Sequence, residues 1–229
     1  MIRNDIIIGT GWYSDNKRKH HLNQTASKKP YYENWFPDYW QPQIEKYLIP
    51  RKYICYSCLC DNLPNFYFDK WELILASEQT IGLPHRYNYH AALLMGAVYA
   101  YSNSTSYLWI EQDTLIHGLD KALEIAKDKK ICYGFSDKCT FKDGWAAQSF
   151  IYVGNDYLPT FINKLTESRI HESRFPVPEM IFHDLFKQDA TDWNTGYDRK
   201  PITDWSLPFF YAQQITDIEI DKLIKLQNN

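Results

Sequence analysis

Apolar and polar positions along the chain alternate between two periods. Residues 5–9 form a short Ile-rich run closed by Gly9, the pattern of a central strand buried on both faces. Runs of the same kind at 53–60, 72–76, 107–111, 131–135 and 149–153 predict further strands. Between them the period lengthens. Residues 87–103 predict a helix with an apolar stripe of Ala91, Leu94, Met95, Val98 and Ala100. Residues 119–127, 156–166 and 178–186 predict three more helices. Residues 215–227 predict an amphipathic C-terminal helix carrying Ile218, Leu223, Ile224 and Leu226. The aromatic, proline-marked stretch 31–42 predicts irregular structure, and the polar stretch 14–30 a loop. Strands alternating with helices indicate an α/β domain with a mostly parallel central sheet flanked by helices, and such sheets bind ligands beyond the carboxyl ends of their strands.

The chain has 229 residues, a length that suits one domain with its own core. A net charge of −3 argues against nucleic acid as a partner, because phosphate backbones call for a basic face. The basic cluster Lys17, Arg18, Lys19, His20 and His21 reads as a solvated loop, with phosphate contact as its other reading. Aromatic residues at 17% leave two readings open, a bulky core or an aromatic-lined cleft. The first residues lack the form of an export signal, and no apolar run reaches the length of a bilayer span, so a cytoplasmic location is expected. The five cysteines are expected as reduced thiols. Cys55, Cys58 and Cys60 fall on opposite faces of one predicted strand, which favours core packing over shared metal ligation.

The sharpest chemical feature is Tyr107-Leu108-Trp109-Ile110-Glu111-Gln112-Asp113. An apolar strand runs into two carboxylates one residue apart, which a period of two places on one face. Exposed at the strand end, Asp113 is expected to contribute little to the core. Paired carboxylate oxygens suit Mg²⁺ or Mn²⁺, hard cations that take carboxylate, water and phosphate ligands.

An apolar strand ending in an acidic-x-Asp triplet, halfway along an α/β chain of this size, resembles the DxD motif of GT-A glycosyltransferases. The likeness covers residues 5–154 and is most specific at the triplet, whose first position here is Glu where the family usually has Asp. It implies a single GT-A-like domain over 1–229, with a donor-nucleotide half at about 1–118 and an acceptor half at about 119–229. It also implies a metal-dependent transfer of sugar from a UDP-, GDP- or dTDP-linked donor to a glycan or other hydroxyl. Carried over residue by residue, it gives Asp113 the metal, Glu111 the metal or the donor's ribose, Thr10-Gly11-Trp12 the nucleoside, and Arg86 the diphosphate, against a plain surface arginine. For the catalytic base two candidates stay open: Asp143, which otherwise marks an Asp-Gly turn, and Glu179. His183 or Asp184 is the candidate for a late metal ligand, against ordinary helix residues. Arg199 and Lys200 sit in a loop that either closes over a diphosphate or is a surface turn.

Two other functions compete. A sugar nucleotidyltransferase usually carries a Gly-rich, basic loop after its first strand, which Gly9-Thr10-Gly11-Trp12 is not. A degenerate, non-catalytic nucleotide- or sugar-binding module would use the same fold without turnover.

Overall fold

The computed structural model describes residues 5–12, 26–32, 34–57, 71–76, 85–135, 146–171, 178–193, 195–198 and 200–228, with the backbone alone for 57, 72–76, 85–89, 168–171 and 198. Asp143, the basic cluster at 17–21, Cys58, Cys60, Cys139 and Arg199 lie outside the described residues, as does the side chain of Arg86.

Among the described residues seven strands make the main sheet: β1 (Ile6–Trp12), β2 (Lys52–Ser57), β3 (Trp71–Ala76), β4 (Ser106–Ile110), β6 (Ile131–Gly134), β7 (Ala147–Val153) and β8 (Ala190–Asp192). Their order is β3-β2-β1-β4-β7-β6-β8. Pairs β1/β2, β2/β3, β1/β4 and β6/β8 are parallel, and β7 runs antiparallel to both β4 and β6. The mostly parallel sheet expected from the sequence is therefore present. Strand order reverses between β1 and β4, so the switch-point crevice opens where these two strands end, at Trp12 and Ile110.

A second sheet of three short strands was not expected. It comprises β5 (Thr114–His117), β9 (Gly196–Asp198) and β10 (Phe210–Gln213), in the order β5-β10-β9. It begins one residue after Asp113, so the acidic triplet joins the two sheets.

Helix α2 (His85–Ser102) packs on β1 and β4, but its inward face differs from the predicted stripe. Ala92, Leu93, Gly96, Ala97 and Ala100 are buried, whereas Met95 and Val98 are about 40% exposed (40% and 41%). Size decides this, not hydrophobicity. The Tyr107 phenol from β4 fills the space where Gly9 of β1 and Gly96 of α2 lack a Cβ, so the helix must present its small residues. The Tyr107 hydroxyl is buried there without a hydrogen-bond partner among the described residues. Gly96→Ala is expected to cost roughly 1–3 kcal/mol through overpacking. Thermal melts should recover part of that loss in the Gly96→Ala/Tyr107→Phe double variant, because the added methyl meets the hydroxyl first.

On the opposite face of the sheet, Trp12, Tyr53 and Trp71 meet the segment 29–48. The prediction of irregular structure for 31–42 is corrected: a 3₁₀ turn (Lys29–Tyr31), a π-helical turn (Phe36–Trp40) and α1 (Gln41–Glu45) follow one another. Tertiary packing of its rings overrides the weak local signal, with Trp40 stacked on Trp71 and edge-on to Phe36.

The remaining helices are α3 (Leu119–Ala126), α4 (Leu158–His171), α5 (Pro178–Phe186) and α6 (Asp217–Asn228). The C-terminal helix α6 packs on β5 and buries Ile220 and Leu223, while Ile218, expected on the apolar face, is 80% exposed. Just after α5, Asp189 takes hydrogen bonds from Lys130 (2.8 Å), Lys164 (3.0 Å) and the Tyr157 hydroxyl (2.8 Å), which hold its carboxyl well below the usual range and pin α5 beside β6. Cys55 and Cys132 are buried in the core, which for Cys55 agrees with the packing role expected of it. No described helix is long and apolar enough to cross a membrane.

Candidate active site

Glu111 and Asp113 do come together, although by a turn and not by strand periodicity. The Glu111 amide still bonds to Ser149 of β7 (2.9 Å), and the chain then folds back so that the Thr114 amide bonds to the Glu111 carbonyl (3.0 Å). Gln112, at the tip, points inward at 2% exposure and donates to the Pro30 carbonyl (2.9 Å).

The segment 29–48 builds this turn. The Trp35 indole N–H donates to the Gln112 carbonyl (2.6 Å), the Trp40 indole N–H to the Glu111 carbonyl (3.1 Å), and the Gln43 amide to the Thr114 carbonyl (3.2 Å). Gln43 accepts in turn from the Ile116 amide (2.7 Å). Three turn carbonyls that β-pairing leaves over thus find buried donors, as buried backbone groups must. The rings of this segment fill the core, as the first of the two aromatic readings has it, and the indole N–H groups of Trp35 and Trp40 hold the turn.

Asp113 is buried, at 5% exposure, which corrects the expectation of an exposed carboxylate. One of its oxygens accepts from the Tyr31 hydroxyl (3.1 Å) and the other from the side-chain amide of Gln213 (3.1 Å). The same Gln213 nitrogen donates to the Glu111 carboxylate. Gln213 closes β10 opposite Thr114 in the antiparallel β5/β10 ladder, and Gln214 after it takes a left-handed backbone (φ 53°) that turns the chain away.

The other predicted residues are placed as follows. Thr10, Gly11 and Trp12 complete β1 at the crevice, yet all three are buried, and the Trp12 indole lies against Phe36 (5.5 Å) in the core, which leaves its ring faces committed to packing. Arg86 stands in the first turn of α2. One turn later His90 is buried, and desolvation pulls its imidazole down to about 4 against an opposing contact with the Pro178 backbone. Glu179 is half-buried in the first turn of α5, and its carbonyl accepts from the Ala146 amide (3.2 Å). The neighbouring Pro178 carbonyl accepts from Gln148 (3.2 Å). These bonds tie the start of α5 to the start of β7, at the sheet edge where β4 ends.

His183 is not brought to the carboxylate pair. It packs on Phe135 (ring centres 5.4 Å apart) and shares a hydrogen bond with the Tyr133 hydroxyl (3.3 Å), on β6, two strands from β4. Burial, and then Lys187, lower its imidazole pKa. Asp184 is exposed and pairs with Lys187 (2.7 Å). Among the described residues no three His, Cys, Asp or Glu side chains group closely enough to hold a metal.

The donor set nevertheless fits a hard divalent cation. One oxygen from each carboxylate already converges on a single N–H₂ group, a position of negative potential lined by oxygen. Two protein carboxylates leave room for water and phosphate oxygens, the way Mg²⁺ is usually held.

No protein-family model and no curated protein matches this sequence. Solved structures do share its fold. An active-site mutant of LgtC superposes with a TM-score of 0.54 at 12% identity, over 97% of this chain and 95% of that one. A glycosyltransferase involved in glycosylation of the major capsid of PBCV-1 gives 0.51 at 12% identity, over 96% and 98%. The inositol-1-phosphate CTP transferase from T. maritima gives 0.51 at 9% identity, over 99% and 97%. Identities this low establish the fold, a GT-A-like α/β fold of the Rossmann type, and leave the activity to the site.

Proposed function

We propose that this protein is a metal-dependent glycosyltransferase that moves a sugar from a nucleotide-sugar donor, UDP-, GDP- or dTDP-linked, to a hydroxyl of a glycan or other acceptor. The observation that carries this reading is the convergence of Glu111 and Asp113 on one point at the switch point of a GT-A-like sheet. In this reading Asp113 holds Mn²⁺ or Mg²⁺ directly and Glu111 supports it or binds the donor's ribose. When bound, the cation supplies charge stabilisation for the departing nucleoside diphosphate. Tyr31 fixes the Asp113 carboxylate by a hydrogen bond and so orients it before donor arrives. Arg86, at the start of α2, meets the diphosphate, and Thr10, Gly11 and Trp12 end the strand that borders the nucleoside. Residues 1–118 form the donor half and 119–229 the acceptor half. Glu179, on the acceptor side, and Asp143 are the candidates to take the proton from the acceptor hydroxyl.

The fold shared with the CTP transferase keeps a second reading open, a sugar nucleotidyltransferase. Products separate the two: a glycosyltransferase releases nucleotide from a nucleotide sugar, and a nucleotidyltransferase releases pyrophosphate from a nucleoside triphosphate. A non-catalytic module would bind donor and release nothing over hours.

The first test is a thermal-shift panel of UDP-, GDP-, CMP- and dTDP-linked sugars, each with Mn²⁺ and with chelator. Donor at 100 times its Kd adds about 2.7 kcal/mol, and each kcal/mol moves the midpoint by about 2–4 °C in a chain of this size, so a rise of roughly 5–10 °C is expected with one nucleotide class and Mn²⁺. Flat melts across the panel would overturn the proposal.

A further inference from the structure

Gln213 is the side chain at this site that the reaction proposed above does not use. It is 9% exposed, it comes from β10, a hundred residues away in the chain, and its single amide nitrogen contacts one oxygen of each carboxylate. Two carboxylates this close repel each other, and a shared N–H₂ donor lowers that repulsion by placing partial positive charge between them. The amide thus stands where a cation would be attracted.

A primary amide carries a donor at one end and a carbonyl oxygen at the other, nearly equal in shape. Half a turn about the last side-chain torsion exchanges them. The backbone needs no change for this, because Gln213 is fixed by the β5/β10 ladder opposite Thr114, immediately after Asp113. In the turned position the side chain directs a neutral, hard oxygen to the point where its nitrogen now lies.

We propose that Gln213 serves the cation site in two states: its amide nitrogen bridges Glu111 and Asp113 when no cation is bound, and its carbonyl oxygen joins them as a third protein ligand when Mn²⁺ or Mg²⁺ enters. The inference rests on the metal-dependent reading above and assigns the third ligand to this chain's own glutamine. It accounts for a site with two carboxylates and no His or Cys beside them among the described residues. A neutral oxygen ligand also keeps the site selective for hard cations over Zn²⁺, which favours nitrogen and sulfur.

The test is direct titration of the full chain with Mn²⁺ alone, by calorimetry or by the paramagnetic signal of free Mn²⁺, in the wild type, Gln213→Ala and Gln213→Glu, with melts of each protein with and without the ion. Loss of a ligand is expected to weaken Mn²⁺ binding by Gln213→Ala on the order of ten-fold or more. Gln213→Glu, nearly isosteric, is expected to bind Mn²⁺ more tightly than the wild type, to melt lower in chelator, and to regain its midpoint with Mn²⁺. If Gln213→Ala binds Mn²⁺ more tightly, the amide only competes with the ion; if its affinity is unchanged, the amide is a bystander. Either result overturns the two-state role while the metal-dependent reading stands. Absence of Mn²⁺ binding by the wild type would overturn both. Should Gln213→Ala fail to fold, Gln213→Leu, of similar size and without the carbonyl oxygen, replaces it in the titration: weaker Mn²⁺ binding supports the two-state role, and equal or tighter binding overturns it.

Discussion

Asp113→Asn is expected to remove the Mn²⁺-dependent donor shift of roughly 5–10 °C entirely while the protein stays folded. Asparagine keeps the size of aspartate and still offers Tyr31 or Gln213 an oxygen, but it lacks the charge that holds a hard cation. The choice of asparagine follows from burial. Asp113 is 5% exposed and accepts from two side chains, so Asp113→Ala would leave the Tyr31 hydroxyl and a Gln213 N–H without an acceptor, at ~1–3 kcal/mol for each buried group. A loss of binding in the alanine variant would mix a lost ligand with a loosened turn. Melts in chelator separate these effects, because the asparagine variant should match the wild type there. A folded Asp113→Asn protein that keeps the full Mn²⁺-dependent shift would sink the metal assignment, and attention would then move to Glu179 and the start of α5.

Six of the main sheet's strands were legible in the sequence as apolar runs, and β1 is buried at every position, whereas β8, three half-buried residues, carried no such signal. The first cue to the site was legible too, since an apolar strand that stops at carboxylates is a local pattern. What was not legible depends on contacts distant in the chain. The strands of the second sheet have three or four residues, and β10 reaches β5 across almost a hundred positions, so no local period announces them. Gln213 stayed hidden for the same reason, although Phe209-Phe210-Tyr211-Ala212-Gln213 repeats the form of an apolar run ending in a polar residue. The stripe on α2 was misplaced because hydrophobicity favoured Met95 and Val98, while the space beside Tyr107 admits only small side chains. His183 lies one turn after Glu179 on α5 as expected from their spacing, but its ring meets Tyr133 of β6 and is not delivered to the carboxylates. In each case helical or strand period gave the element, and steric fit decided which residues it delivers to the crevice.

Trp40→Ala is expected to have the largest effect on stability, a loss of ~3–5 kcal/mol as for other buried tryptophans, read as a fall in midpoint of roughly 6–20 °C. The indole is fully buried, stacks on Trp71, lies near Tyr53 and meets the edge of Phe36, so its removal opens a cavity between the 29–48 segment and the sheet. Trp40→Phe isolates the second task of this residue. Phenylalanine keeps most of the ring contacts but cannot donate to the Glu111 carbonyl, which retains its bond from the Thr114 amide (3.0 Å). The stability cost of that lost bond is then at the low end, ~1 kcal/mol. If the indole N–H sets the position of Glu111, the phenylalanine variant should bind Mn²⁺ several-fold more weakly than the wild type despite a nearly preserved midpoint, an effect of the size seen when outer-shell partners of a metal site are removed, ~10–100-fold at most. Unchanged Mn²⁺ affinity in a folded Trp40→Phe protein would confine Trp40 to packing and leave Trp35 and Gln43 as the residues that hold the turn. Such a result would separate the two tasks of the buried indoles, since Trp35 and Trp40 both fill the core and place a polar edge against the carbonyls of Gln112 and Glu111.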